Sequence, residues 1–479
     1  MLMRRLIVIL AILLLAAAAR ITNVHNWPVW TDEGWSTWAA SDHRLDAILS
    51  RVAQDRHPPL YFVSLSAWWT LAGDSRLALR FLAIAGGLLT VAVTYRIGAD
   101  WFGRRAGAFA ALWLSVLDIA VYYAQEIRHY SWLTLAVCLM TLFFLRYLRR
   151  PRRAILLAYM VSIAFMFYTQ YFGALFLAVH GIIGLLVWHG SLRQKAELVA
   201  AWIGATILCV PWLIAASGQF ASLTGGIVSY PTSLEGLLTV APLIFGGTVT
   251  VGMGGLYVLG FWRILRRLSY SVVDLARIAL VLCGLGLFGV MFLANLRIGL
   301  LSARTLVYLV PMLMLVCGYG LDSVRGRAGS VIALGLVVIM LLTRSIIQPR
   351  LDSDKVAQAV ATAYRPGDLI VIESGWDDNA FRYELMLALG ESAWQNMIPA
   401  LPWYDNLYRM GPVVPQVEGA LKTHRRVWSI NWLIPSQLMP FLDSGGEGFH
   451  RVLIREIPVG AQYEGRYPVP SVQVALFER

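Results

Sequence analysis

Charge is what this chain has least of: charged residues fill 14% of its 479 positions, and only 28 of them are Asp or Glu. Hydrophobic residues fill 58%, and the mean hydropathy is +0.63, which excludes an ordinary soluble globular protein. Cysteine is nearly absent. Cys138, Cys209, Cys283 and Cys317 all lie in apolar segments without CxxC spacing, so neither a disulfide framework nor a zinc site is implied. No glycine-rich phosphate loop joins a strand to a helix; the glycines at 225–226 and 246–255 fall in a loop and an apolar run, which removes the usual signature of a soluble-nucleotide site. Internal repeats, low-complexity tracts and long disordered linkers are missing as well.

What is abundant is long apolar sequence. Stretches of about 17–25 residues, enough to cross a bilayer, run at about 5–24, 77–97, 105–123, 129–148, 154–171, 173–189, 197–216, 237–262, 273–294, 303–321 and 328–347. The expected fold is therefore a polytopic α-helical membrane protein with about eleven transmembrane helices. The apolar segment 59–72 is shorter and suits an external interfacial or re-entrant helix. The net charge of +12 fits cytoplasmic loops and contacts with anionic membrane lipids. Nucleic acid is not an expected partner, because the basic residues sit at span ends and form no single patch.

Charge also sets orientation. With Arg4 and Arg5 inside, the groups Arg96/Arg104/Arg105, Arg146/Arg149/Arg150/Arg152/Arg153, Arg193/Lys195, Arg263/Arg266/Arg267 and Arg325/Arg327 all fall inside, provided that 59–72 does not cross. Asp32, Glu33, His57, Glu126, the Gln170-Tyr171 turn, Arg297, Arg304 and everything from about 350 then lie outside. The first segment reads as a retained anchor, since its alanine-rich end runs into Arg20 and on into an acidic loop. Short loops and the lack of Asn-x-Ser/Thr sequons fit a bacterial inner membrane, with the N-terminus cytoplasmic.

The chain divides into a membrane domain, 1–349, with a first external loop at 25–76, and a small extracytoplasmic α/β domain, 350–479. In the latter a helix over 354–363 and the turn Arg365-Pro366-Gly367-Asp368 lead into the buried strand Leu369-Ile370-Val371-Ile372. Further strands are expected at 426–430, 452–454 and 472–476. Trp376, Asp377, Asp378, Trp394, Trp403 and Tyr404 are candidate glycan contacts, though ordinary core and surface roles fit them better.

Three polar islands stand out: Thr31-Asp32-Glu33-Gly34, Asp55-Arg56-His57-Pro58-Pro59-Leu60-Tyr61 and Tyr123-Ala124-Gln125-Glu126-Ile127-Arg128-His129-Tyr130. A carboxylate at the bilayer surface, shielded by Trp27, Trp30, Trp35 and Trp38, can accept a proton from an incoming hydroxyl. The plainer reading makes Asp32 the cap of the next helix, with Glu33 in its first turn. Pro58-Pro59 fixes the start of a short helix and holds Arg56 and His57 at its N-terminal end, where an anion can dock; alternatively His57 is merely solvated. Glu126 and Arg128, at a span junction, either pair with each other, or Glu126 orients an acceptor or a metal while Arg128 holds a phosphate. Arg304 is a further outer-face cation, or a snorkelling one.

Asp32-Glu33 in a first external loop, Arg-His-Pro-Pro-Leu-Tyr before a short helix, Gln-Glu-x-Arg-x-Tyr at the next loop, Thr169-Gln170-Tyr171-Phe172 after it and Arg304…Tyr308…Pro311 late in the chain together resemble the GT-C glycosyltransferases. More narrowly, the pattern is similar to the family 39 protein O-mannosyltransferase-like group, which includes aminoarabinose-lipid A and galacturonosyl-lipid A transferases. The resemblance implies inverting transfer of a sugar from a polyprenyl monophosphate to a lipid, glycan or protein acceptor on the extracytoplasmic face. Carried over, Asp32, Glu33 and Glu126 are the catalytic acids; Arg56, His57, Arg128 and Arg304 hold the donor phosphate; Tyr61, Gln125, Tyr130, Gln170 and Tyr171 line the substrate site. The chain departs from the pattern at Gln170, where His is common, and at Arg56-His57, where aminoarabinose transferases carry Glu-Lys. No separate soluble nucleotide is needed; a divalent metal between the external acids stays open, as oligosaccharyltransferases use one and family 39 members mostly do not. The rival reading is a transporter or flippase, which would place its ionisable groups near the midplane. Here Asp118 is the main such group.

Overall fold

The computed structural model describes the chain except residues 1, 56, 222–231, 270, 299–300, 345–351, 375–377, 395–396, 400–412, 433–435 and 459–470. It forms two compact units. The first comprises Met1–Thr22, His43–Trp68 and Arg80–Ser345; the second comprises Asn23–Asp42, Trp69–Leu79 and Ile346–Arg479.

The first unit is a helical bundle of a multi-pass membrane protein. Among the described residues, seven helices are long and apolar enough to cross a membrane: Leu6–Asn26, Arg76–Trp101, Tyr130–Arg149, Leu192–Ala215, Gly247–Arg266, Val272–Arg297 and Ala303–Leu321. Leu60–Ala72, Arg153–Thr169, Tyr171–Val187, Glu235–Phe245 and Ala328–Leu342 are apolar but shorter. Two of the expected spans are broken. Residues 237–262 divide at Gly246, whose φ of +90° ends one helix in the left-handed conformation that glycine tolerates best. Residues 105–123 divide at Leu117, which is extended between the helices Arg104–Val116 and Asp118–Tyr122.

The break at Leu117 leaves helix-end carbonyls without intrahelical donors, and Arg20 supplies them. Its guanidinium is buried and donates through Nη1 to Ser115 O at 2.8 Å and through Nη2 to Leu114 O at 3.3 Å. A cation here also complements the helix dipole. Beyond the break, Asp118 pairs with Arg344 at 3.4 Å, which accounts for the one acid expected deep in the bundle. Arg20→Met keeps the apolar stem and strands these carbonyls. It is expected to lower the thermal midpoint of the detergent-solubilised protein, at a cost of about 1–3 kcal/mol for unsatisfied buried acceptors.

In the second unit, strands β1 (Leu369–Ser374), β2 (Met397–Pro399), β3 (Arg426–Trp432), β4 (His450–Pro458) and β5 (Ser471–Glu478) form one sheet in the order β2-β1-β3-β5-β4. β1 runs parallel to β2 and β3, and β5 runs antiparallel to β3 and β4. Alternation along β1 serves two cores. Ile370 and Ile372, with Trp428 and Ile430, pack on the helices Ser353–Ala361 and Asp378–Leu389. Leu369 and Val371, with Val427, pack on Val413–Thr423 and Leu438–Asp443. At the foot of β1, Asp368 accepts from Arg426 Nε and Trp428 Nε1, both at 2.9 Å, tying the turn before β1 to β3.

Candidate active site

The second polar island is built by a helix start. After the helix Leu45–Ala53 the chain turns through Pro58-Pro59, and the Pro59 carbonyl accepts the Val63 N–H at 3.0 Å, opening the helix Leu60–Ala72. His57 is thereby set just before that helix. Its Nδ1 lies 2.6 Å from Asp55 Oδ2, and its Nε2 lies 3.0 Å from Arg128 Nη2. A guanidinium can only donate, so His57 Nε2 accepts from Arg128 and Nδ1–H donates to Asp55. Asp55, His57 and Arg128 thus form a directed relay in which the carboxylate orients the ring and the neutral ring orients the guanidinium. His57 is bonded on both ring nitrogens within this cluster and is not a merely solvated neighbour.

The third island supplies the other half. Arg128 and His129 close the turn before the helix Tyr130–Arg149, with the Arg128 N–H donating to Glu126 O at 2.7 Å. Glu126, Arg128, His129 and Tyr130 are all buried. The His129 ring lies 4.9 Å from the His57 ring and 6.4 Å from Tyr61, and the Arg128 guanidinium lies 5.8 Å from the Tyr130 ring centre. Gln170 fixes the tautomer of His129. Its Oε1 accepts the Tyr171 N–H at 2.7 Å, so its Nε2 donates to His129 Nε2 at 3.1 Å. The His129 proton is therefore on Nδ1, which has no hydrogen-bond partner among the described residues. Tyr171 takes a bond from Trp212 Nε1 at 2.9 Å and gives one to Gln219 Oε1 at 3.0 Å, and Gln219 Nε2 donates to Val52 O at 2.9 Å and His57 O at 3.3 Å. Arg304, in the short helix Ala303–Leu306, is half-buried, and its charge reaches both His129 and Tyr123.

Of the residues expected from sequence, His57, Tyr61, Arg128, Tyr130, Gln170 and Tyr171 therefore meet within one unit, with Glu126 and Arg304 within electrostatic reach of the same turn. Gln125 takes a different part. Its Nε2 donates to Arg20 O at 2.9 Å and so ties off the first helix, leaving Oε1 without a partner among the described residues. Arg56 lies outside the described residues, as do Trp376, Asp377, Trp403 and Tyr404. Asp55, His129 and Gln219 are members that sequence reasoning did not assign. Asp55 and His129 were in view inside the islands; Gln219 carries no local signal.

The first island belongs to the second unit. The helix Thr31–Ala40 has Trp30 at its N-cap with no side-chain bond, so Asp32 and Glu33 both lie inside its first turn. Asp32 does not cap the helix. It is half-buried, whereas Glu33 is fully buried.

Residues 56–215 match the family described as dolichyl-phosphate-mannose-protein mannosyltransferase. No curated protein sequence matches the chain. Solved structures share its fold. ArnT from Cupriavidus metallidurans in the apo state gives a TM-score of 0.64 at 14% identity, over 99% of this chain and 97% of that one. The same protein bound to undecaprenyl phosphate gives 0.61 at 13% identity with the same coverage. The archaeal oligosaccharyltransferase AglB from Archaeoglobus fulgidus, in complex with an inhibitory peptide and a dolichol-phosphate, gives 0.59 at 12% identity over 89% of this chain and 69% of its own. The chain has the GT-C fold. The sequence match runs through the second and third polar islands and the Gln170-Tyr171 turn, the stretch that builds most of the His57 cluster in this GT-C protein. Within each unit, no three or more His, Cys, Asp or Glu among the described residues gather as metal ligands.

Proposed function

We propose that this GT-C protein is an inverting glycosyltransferase that moves a sugar from a polyprenyl monophosphate to a lipid, glycan or protein acceptor on the extracytoplasmic face of the inner membrane. The observation that carries the reading is the Asp55-His57-Arg128 relay beside the buried Nδ1–H of His129. An oriented guanidinium and an open neutral donor are what a phosphate monoanion or diester needs. The fold neighbours, solved with undecaprenyl phosphate and with dolichol-phosphate, support a lipid phosphate as the ligand. In the reaction the acceptor oxygen forms a bond to the anomeric carbon, the bond from that carbon to the phosphate oxygen breaks, and the polyprenyl phosphate leaves with the electron pair. Asp32 takes the acceptor proton. Arg128, Arg304 and Arg56 compensate the phosphate charge, His57 sets Arg128, and Glu33 and Glu126 complete the acidic set. Tyr61, Tyr130, Gln170, Tyr171 and the open Oε1 of Gln125 surround the sugar and its phosphate.

The test is a transfer assay in nanodiscs with a panel of labelled polyprenyl-phosphate sugars and glycolipid or peptide acceptors. Arg128→Ala is expected to raise the donor KM about 10- to 100-fold, the value of a charge-assisted hydrogen bond of ~1.5–3 kcal/mol. Asp55→Ala frees the His57 ring and is expected to raise the donor KM about tenfold with kcat nearly unchanged. Lipid binding or lipid movement across the bilayer, with no transfer to any acceptor, would overturn the glycosyltransferase reading in favour of a transporter.

A further inference from the structure

The second unit joins two pieces of the first external loop to the C-terminal sheet. The bonds that do this converge on the residues flanking Asp32. Three residues before it, the Val29 N–H donates to Glu384 Oε1 at 2.7 Å, and the Val29 carbonyl accepts from Ser353 Oγ at 2.8 Å. Two residues after it, Gly34 lies against the backbone of the helix Asp378–Leu389, where an added Cβ would sit 2.7 Å from Ala380 Cα. No larger residue fits that crossing without moving the helix. Glu384, almost wholly buried, also accepts from Arg76 Nε at 3.0 Å and from Arg76 Nη2. Tyr383 adds a bond from its hydroxyl to Asp74 O at 2.6 Å, and its ring meets Trp69 edge-on. Both loop pieces are thus held by one face of the helix Asp378–Leu389, with Ser353 of the helix Ser353–Ala361 adding a bond to Val29.

Two residues along a helix turn the side-chain direction by about 200°. With Gly34 facing the tail helix, Asp32 leaves Thr31–Ala40 on the side away from it. The tail grips the helix on the face opposite the acid.

We propose that the C-terminal unit is the scaffold of the acid-bearing helix, and that Glu384, gripping Val29 and Arg76, is a positioning residue for Asp32. The inference rests on the reading of Asp32 as the proton acceptor. Burial lifts the Glu384 carboxyl above its usual range against the pull of Arg76 and the Val29 N–H, so its charge is held at a cost and its value lies in accepting bonds at this place. A glutamine keeps one acceptor oxygen for the Val29 N–H and Arg76 Nε but loses the bond from Arg76 Nη2; a leucine accepts neither.

The experiment compares Glu384→Leu, Glu384→Gln and Asp32→Asn in the full-length protein in nanodiscs, by amide hydrogen exchange and by transfer kinetics. Glu384→Leu is expected to speed exchange in residues 23–42 about tenfold or more while β1 and β3 stay protected. Its kcat is expected to fall about 100-fold, the scale of an ångström-sized misplacement of a reacting group, with the donor KM unchanged. Glu384→Gln, which keeps the Val29 bond and loses the Arg76 Nη2 bond, is expected to fall between wild type and Glu384→Leu in both readouts. Unchanged exchange in 23–42, or β1 and β3 opening together with it, overturns the proposal. Full transfer by Asp32→Asn defeats the role of Asp32 alone, and the exchange result then still decides whether the tail holds the helix.

Discussion

Asp32→Asn is expected to lower kcat for sugar transfer by about 10²- to 10⁴-fold, the range a positioned general base contributes, while polyprenyl-phosphate binding stays unchanged. Of the three candidate acids, Glu33 and Glu126 are fully buried and Asp32 is half-buried, so Asp32 is the carboxylate that an acceptor hydroxyl can reach. The substitution keeps the side chain's size and removes its charge and its ability to take the proton. The N-cap position of the helix Thr31–Ala40 is held by Trp30, and Asp32 lies inside the first turn. The measurement is single-turnover transfer from a labelled donor at saturating acceptor. A rate within a few-fold of wild type removes Asp32 from the chemistry. Normal donor binding beside a collapsed rate separates its role from that of Arg128, whose loss acts on binding.

Much of this was legible in the sequence because the relevant signals are local. Leu369-Ile370-Val371-Ile372 after a Pro-Gly turn is a buried central strand in any context, and β1 takes that place. Pro58-Pro59 starts a helix, and it does. β2 is only three residues long, too short for any periodic signal. The breaks at Leu117 and Gly246 were hidden because hydropathy averages over a window and passes smoothly across one extended or left-handed residue. The grouping of the chain was hidden for a different reason. Residues 23–42 and 69–79 lie more than 260 positions from the tail they join, and nothing in a single sequence reports that Val29, Arg76 and Glu384 share bonds. The site shows the same division. His57, Arg128 and Gln170 stood out as polar residues in apolar surroundings, whereas the direction of the Asp55-His57-Arg128 relay depends on which nitrogen faces which partner, and only the fold decides that.

Gly320→Val is expected to abolish recovery of monodisperse, folded protein. The helices Thr250–Arg266 and Val310–Leu321 cross backbone to backbone: a Cβ on Gly320 would lie 3.0 Å from Gly260 N, and one on Gly260 would lie 3.1 Å from Gly320 N, with the Leu256 and Val316 carbonyl oxygens closer still. In a membrane the helices gain no hydrophobic drive from associating, so contact of this kind between small residues is a main source of their affinity. Helix Val310–Leu321 is buried along its whole length, so it cannot shift to relieve the clash without disturbing every neighbour. A branched side chain at Gly320 is therefore expected to cost at or above the ~3 kcal/mol upper end of ordinary overpacking. Gly255 gives the control on the same helix as Gly260. Nothing lies within 4 Å of a Cβ there, so Gly255→Ala gains helix propensity of up to about 1 kcal/mol and meets no obstacle. Thermal scans with size-exclusion profiles of the two variants should move in opposite directions, Gly255→Ala upward and Gly320→Val to aggregate. Equal behaviour of the two would mean that the crossing at Gly260 and Gly320 does not hold the bundle together.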